Sequence, residues 1–200
     1  MPMPRGKYKV FGFGVNDADY MVKPVGPDGK RLECPFYKAW KNMLLRAYSP
    51  KFHAKRPTYI GVTVCEEWRS FMAFRAWMME QDWEGKHLDK DILVPGNKVY
   101  SPKTCAFVTR EVNGLLNDHN AKRGNWPIGV DRRKNKFRAK VSENGKKRYL
   151  GIFHSPHEAH LAWREEKVRL VREAAEECDD PRIAAGLLRH SVVIESGAMM

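Results

Sequence analysis

Residues 87–113, HLDKDILVPGNKVYSPKTCAFVTREVN, decide how the first half of the chain is read. Asp89 and Asp91 stand at alternate positions in a short apolar segment. In a regular strand, alternate residues share one face, so His87, Asp89 and Asp91 would point the same way. Two carboxylates in that relation are hard oxygen donors of the kind Mg²⁺ accepts. Pro95-Gly96-Asn97 marks a loop, a second apolar run follows, and Asn113 stands where a helix opens and offers a neutral oxygen. The order is strand, loop, strand and helix. One divalent ion between strand and helix would stabilise a leaving 3′-oxygen at a scissile phosphate, with a nearby base activating water. Taken alone, an Asp-Lys-Asp run has a plainer reading, a solvated edge neutralised by Lys90.

Upstream, aromatic side chains recur at helical spacing. Tyr37, Trp40, Leu44 and Tyr48 fall on one stripe, with Lys38, Lys41 and Arg46 off it, and Pro50 stops the helix. Phe71, Phe74 and Met78 form a second stripe, and Trp68, Trp77 and Trp83 add aromatic mass. Both stripes read as core. Between them, 51–56 reads as a basic loop and Thr58–Val64, rich in β-branched residues, as a strand. Residues 19–34 read as a hairpin turning at Pro27-Asp28-Gly29. Residues 1–17 read as a basic N-terminal arm with Tyr8, Phe11 and Phe13. Gly114 weakens the helix after Asn113 by about 1 kcal/mol relative to alanine.

Downstream, the polar run at 117–125 marks a boundary, and the texture changes. WPIGVDRR, KFRAKVSENG and KKRYLGIFH are short alternating segments separated by turn signals, a three-stranded antiparallel meander. Ser155-Pro156-His157-Glu158 combines an N-cap serine, a proline in the first turn and a glutamate three residues on. It starts a helix that runs to about Glu177, where Asp179-Asp180-Pro181 ends it. The division expected is an arm (1–17), a first domain (18–117), a linker (118–125), a second domain (126–178) and a tail (179–200) with one short helix near Ile183–Leu188. The meander carries Arg132, Arg133, Lys134, Lys136, Arg138, Lys140, Lys146, Lys147 and Arg148 against Asp131 and Glu143. On its second strand Lys136, Arg138 and Lys140 share one face, and Phe137, Ala139 and Val141 the other. The apolar face can pack on the helix through Ala159, Ala162 and Trp163, which leaves a basic face open, as a groove-binding sheet requires.

The net charge of +12 on 200 residues points to an anionic partner, most simply nucleic acid. No apolar run approaches the roughly 18 residues of a spanning helix, and the N-terminal residues lack the apolar core of a signal peptide. The expectation is therefore an intracellular protein with no membrane partner. Cys34, Cys65, Cys105 and Cys178 are far apart, with no C-x-x-C pair, so reduced thiols are expected rather than a structural zinc site.

Two stretches resemble known families. IGV, KFRAKVS, KKRYLGIF and SPHEAHLAW, within about 126–170, resemble the three-strand-plus-helix DNA-binding domain of plant Apetala/ethylene-response-factor regulators, which also occurs attached to phage nucleases. The resemblance implies a sheet lying in the major groove, with Arg132, Arg138, Lys140 and Arg148 as candidate base contacts. GVTVCEEWRSFMAFRAW and LDKDILVPGNKVYSPKTCAFVTREVN, within about 18–117, resemble the HNH (ββα-metal) nucleases of tailed phages. That resemblance makes Asp89 a metal ligand, Asn97 the asparagine that pins the loop, and Asn113 the residue completing the metal site. Lys90 stands where the family has its general-base histidine, so His87, Lys90 and Asp91 are the side chains among which a base is sought.

Together the resemblances imply an α+β chain, with an N-terminal ββα-metal domain and a C-terminal three-stranded antiparallel sheet packed on one helix. They imply a homing-type endonuclease that hydrolyses phosphodiester bonds of double-stranded DNA with Mg²⁺ or Mn²⁺. It would be a monomer rather than an obligate oligomer, in the host cytoplasm if phage-encoded. The alternatives are a catalytically inactive DNA-binding protein on the same scaffold, or a transcriptional regulator or RNA binder.

Overall fold

The computed structural model describes residues 9–116, 125–143 and 145–197. The chain mixes helix and sheet and divides into two compact units. One comprises the described residues up to Asp91 together with Gly96–Phe107, the other Ile92–Pro95 together with the described residues from Val108 onward.

The first unit is built on α1 (Pro35–Tyr48), with proline in its first turn and Tyr37, Trp40, Met43, Leu44 and Ala47 buried. This is the expected stripe, widened by Met43 and Ala47. Pro50 ends α1 but also begins α2 (Pro50–Lys55), where a basic loop was expected; Ser49 accepts from the Phe52 N–H at 3.3 Å and caps it. The strand expected over Thr58–Val64 shrinks to β1 (Thr63–Val64). Pro57–Tyr59 closes a 3₁₀ turn, and Gly61 at φ +80° redirects the chain before pairing begins. After a second 3₁₀ turn, Ser70 caps α3 (Phe71–Met79) through the Ala73 N–H at 3.0 Å.

Then come β2 (His87–Asp89), β3 (Val99–Tyr100) and β4 (Ala106–Val108). β1 pairs with β3 in parallel, and β2 pairs with β4. The core contains Trp40, Trp68, Phe71 and Phe74, all at 0% exposure, and the Trp40 indole N–H donates to the Trp68 carbonyl at 2.8 Å.

The expected hairpin near Pro27-Asp28-Gly29 is a tight loop, with a single bridge between Val25 and Arg31 rather than two strands. Residues 10–17 do not form a separate arm. Val15 bridges to Ser70, and Asp17 accepts from the Ser70 hydroxyl at 2.6 Å and the Met72 N–H at 2.9 Å. Gly14 lies so close to Trp40 and Leu44 that an added Cβ would fall 2.3 Å from a leucine methyl. The remainder of the expected arm, 1–8, and nearly all of the expected linker, 118–124, lie outside the described residues.

In the second unit α4 (Arg110–Leu116) leads to β5 (Val130–Arg133), β6 (Lys136–Glu143) and β7 (Lys146–Phe153), an antiparallel sheet in that order. Ala139 pairs with Gly151 but Lys140 with Tyr149, so Leu150 is the extra residue of a β-bulge. Helix α5 (Pro156–Glu176) starts as its sequence predicts. Ser155 accepts from the Glu158 N–H at 3.1 Å, and the Glu158 carboxylate reaches back to the His154 N–H at 3.3 Å. Its Ala159, Ala162 and Trp163 cover Val130, Phe137, Ala139, Val141 and Leu150.

The end of the chain differs most from expectation. Instead of a short helix in a frayed tail, α6 (Pro181–Glu195) packs along α5. Asp180 accepts from the Arg182 N–H at 2.8 Å and Pro181 takes the first turn, so the same Asp-Pro pair that ends α5 starts α6. Buried Ile183, Gly186, Leu187, His190, Ser191 and Ile194 form one helical stripe. Within this unit the Leu93 carbonyl accepts from Arg189 Nε at 3.1 Å and Nη2 at 2.8 Å. Among the described residues, no helix is long and apolar enough to cross a membrane.

Candidate functional site

β2 presents His87 to solvent, buries Leu88 and half-buries Asp89. It ends at Asp89, so the single strand face expected for His87, Asp89 and Asp91 covers only the first two. Asp91 lies in the loop beyond, and its backbone N–H donates to Asp89 Oδ1 at 2.9 Å. That bond is the local turn an aspartate makes with the backbone two residues on, and it explains why the strand stops there.

Asn97 closes the loop. Its Nδ2 donates to the Lys90 carbonyl at 2.6 Å and the Val99 carbonyl at 2.8 Å, and its Oδ1 accepts from the Val99 N–H at 3.3 Å. One amide thus ties the first residues of the loop to the first residue of β3. Lys90 is folded into the same loop, with its side chain 12% exposed. Its ammonium donates to Asp91 Oδ2 at 3.0 Å and to the Asn97 carbonyl at 2.9 Å. In both contacts Lys90 Nζ is the donor, whereas a lysine acts as a general base only through a free lone pair.

Behind β2, Arg46 in the last turn of α1 donates from Nη1 to the Leu88 carbonyl at 3.4 Å. Burial opposes its charge, but Tyr100, Tyr59 and Asp89 around it more than compensate and raise its pKa above the ordinary value. Burial raises the Tyr100 phenol, and pushes the Cys105 thiol up to about 12. All four cysteines are free thiols. By its spacing Arg46 is a cation off the α1 stripe. The available signal was its place between Leu44, Leu45 and Ala47, in a helical turn that is otherwise apolar.

Asn113 lies in α4, half-buried, with its N–H on the Thr109 carbonyl at 3.0 Å. It belongs to the second unit, and Asp89 to the first. Among the described residues no group of three or more His, Cys, Asp or Glu side chains is arranged to hold a metal ion.

The sheet separates its cations by face. Opposite Val130, Phe137 and Ala139, which pack on α5, the outer side carries Arg133, Lys136, Arg138, Lys140 and Lys147. That side is not uniformly basic. Asp131 sits in it and accepts from Arg138 Nε at 3.0 Å, Arg138 Nη2 at 2.7 Å and Lys140 Nζ at 2.7 Å. The Arg138 hydrogen bonds, with those of Lys140, hold the Asp131 carboxyl down at about 2 against the opposing effect of burial. Arg148 alternates to the helix side, where it pairs with Glu143 at 2.8 Å and with Glu166 of α5. Arg132 also takes the helix-side register, with its Nε on the Lys134 carbonyl at 3.0 Å, and Lys134 forms the β5–β6 turn at φ +54°.

Among the described residues, Arg132, Arg133, Lys134, Lys136, Lys146 and Lys147 are exposed and have no carboxylate partner. Tyr149 (59% exposed) and Ile152 (62% exposed) share the outer side, and the Arg138 guanidinium lies 4.4 Å from the Tyr149 ring centre. Strict alternation puts residues 149 and 152 on opposite faces; the bulge at Leu150 brings them together. Compared with protein-family models, with curated proteins and with solved structures, the chain gives no match.

Proposed function

We propose that this protein is a metal-dependent endonuclease of double-stranded DNA, with the first unit cutting and the sheet of the second unit binding the duplex. The reading is carried by the loop that Asn97 closes immediately after Asp89. A single rigid loop that presents carboxylates, in a chain of net charge +12, suits a phosphodiester substrate.

Asp89 offers hard oxygen, and Mg²⁺ is commonly held by one or two carboxylates, with water and phosphate oxygens completing its shell. Asp89 fits that role in the first unit. An ion held at Asp89 would supply Lewis-acid stabilisation of charge at the phosphate. Asn97 fixes the course of the loop, Arg46 braces β2 at Leu88, and His87, exposed on β2, is the side chain from which a proton acceptor is sought. The outer face of the sheet, with Arg133, Lys136 and Lys147 at its open positions, holds the duplex.

The test is nicking of supercoiled plasmid with Mg²⁺ or Mn²⁺, with Asp89→Ala abolishing it and His87→Ala reducing it. Cutting that survives Asp89→Ala sinks the site assignment. A second reading, a DNA-binding protein without chemistry, is favoured by Lys90, whose ammonium is engaged by both Asp91 and Asn97. Duplex binding with no metal-dependent nicking selects it.

A further inference from the structure

From Ser49 to Cys65 the chain holds Lys51, Lys55 and Arg56 and no aspartate or glutamate. The three cations are exposed on α2 and the residue that follows it. This corner is ordered by its own contacts. Phe52 meets Tyr59 edge-on at 5.3 Å, the Arg56 N–H donates to the Phe52 carbonyl at 2.9 Å, and the His53 ring nitrogen Nε2 lies 2.8 Å from the Arg46 carbonyl. Lys98 joins it from β3's side. Its carbonyl accepts from the Thr63 N–H at 2.9 Å, and its ammonium donates to the Ile60 carbonyl at 3.3 Å. Among the described residues, none of these four cations pairs with a carboxylate.

Lys98 directly follows Asn97, which closes the loop beginning at Asp89. Arg46, whose carbonyl meets His53, reaches the Leu88 carbonyl on β2. The basic corner is therefore continuous, through bonded neighbours within one unit, with the proposed cutting loop. We infer that Lys51, Lys55, Arg56 and Lys98 form a second duplex-DNA surface, separate from the sheet, which grips backbone phosphates beside the cut site. The inference rests on the nuclease reading above. These cations touch phosphates rather than bases, so they add affinity without sequence preference.

The experiment measures binding of the full chain to duplex DNA, without divalent ion, over a series of salt concentrations. Each phosphate neutralised contributes about 0.9 to the slope of log K against log salt. The fourfold variant Lys51→Gln, Lys55→Gln, Arg56→Gln, Lys98→Gln is expected to lower that slope by about 2 to 4. Lys51→Arg, Lys55→Arg, Lys98→Arg keeps it, and so does Lys30→Gln, which removes an exposed cation elsewhere. A wild-type slope in the fourfold variant overturns this surface and leaves binding by the sheet intact. Failure of the wild-type chain to bind duplex DNA at low salt overturns the nuclease reading, and this surface with it. A slope lost only on single-stranded RNA or anionic phosphatidylserine vesicles also overturns the assignment.

Discussion

Among the described residues of the first unit no strand exceeds three residues, yet Trp40, Trp68, Phe71 and Phe74 are wholly buried. In the second, two strands have eight residues and one helix twenty-one, and small side chains, Val130, Ala139 and Ala159, are the buried centre of a layer that Phe137, Leu150 and Trp163 flank. One unit is held by large side chains that meet across irregular backbone, the other by regular backbone that brings small side chains together. A substitution should therefore act through lost volume in the first unit and through backbone geometry in the second.

The largest effect is expected at Trp40. Trp40→Ala empties the centre of the aromatic core and leaves the Trp68 carbonyl without its indole donor at 2.8 Å. The cost is about 3–5 kcal/mol, typical of deleting a large buried aromatic. Hydrogen exchange of peptides from α1 and α3 should rise accordingly. Unchanged protection there would break the contrast at its strongest point.

Gly129 is the counterpart in the second unit. It sits at φ +79°, and an added Cβ would fall 2.1 Å from the Trp163 ring. Gly129→Ala therefore combines left-handed strain with overpacking, about 2–4 kcal/mol in all. Urea unfolding followed by circular dichroism should show it. If Trp163→Leu in the same chain rescues stability, the clash rather than the backbone strain dominates, and the comparison is sharpened.

Asn97 belongs to the irregular backbone of the first unit. Asn97→Ala removes both donors that close the loop and costs about 1–3 kcal/mol. Asn97→Asp should not rescue it, because a carboxylate cannot donate to the Lys90 and Val99 carbonyls. Exchange at peptides spanning 88–100 is the readout, and equal behaviour of the aspartate variant and the wild type would remove the loop-closing role.

The same contrast explains what the sequence disclosed. Periodicity located α1, α3, α5 and the meander, because each places side chains at regular intervals on regular backbone. It overextended the strand before Val64, where Gly61 bends the chain, and it took Lys51–Lys55 for a loop because Pro50 looked like a stop rather than a start. It treated Asp179-Asp180-Pro181 in the same way and lost most of α6. In the candidate site, the Pro95-Gly96-Asn97 loop follows from residue type, but alternation carried the strand on to Asp91, where the Asp89 side chain instead turns the backbone. Arg46 comes from forty-two residues before Leu88, a contact that no local pattern encodes. On the sheet, alternation placed Arg138 and Lys140 correctly but could not show Asp131 between them, nor the bulge that turns Tyr149 and Ile152 to one side.

Asp131 sets the smallest and most selective test. Its folded-state pKa, about 2, lies below the ordinary carboxylate value, so its contacts with Arg138 and Lys140 stabilise the fold fully above the unfolded-state pKa of about 4 and are lost as pH falls through 2. Its side chain is 27% exposed, so solvent and salt screen the pair, and about 1 kcal/mol is the most to expect. Asp131→Asn should be less stable than wild type by a constant amount from pH 5 to 7, with the difference shrinking below pH 4 and vanishing near pH 2. A difference that persists at pH 2 would mean that shape at residue 131, not charge, holds the outer face. The same substitution removes the carboxylate that faces Arg138 and Lys140, so the duplex binding proposed for this face should tighten while stability between pH 5 and 7 falls. In the first unit, Asn97→Ala has no such pH dependence, because a carboxamide does not titrate. The two variants thus separate a charge held against a sheet from a loop closed by an amide.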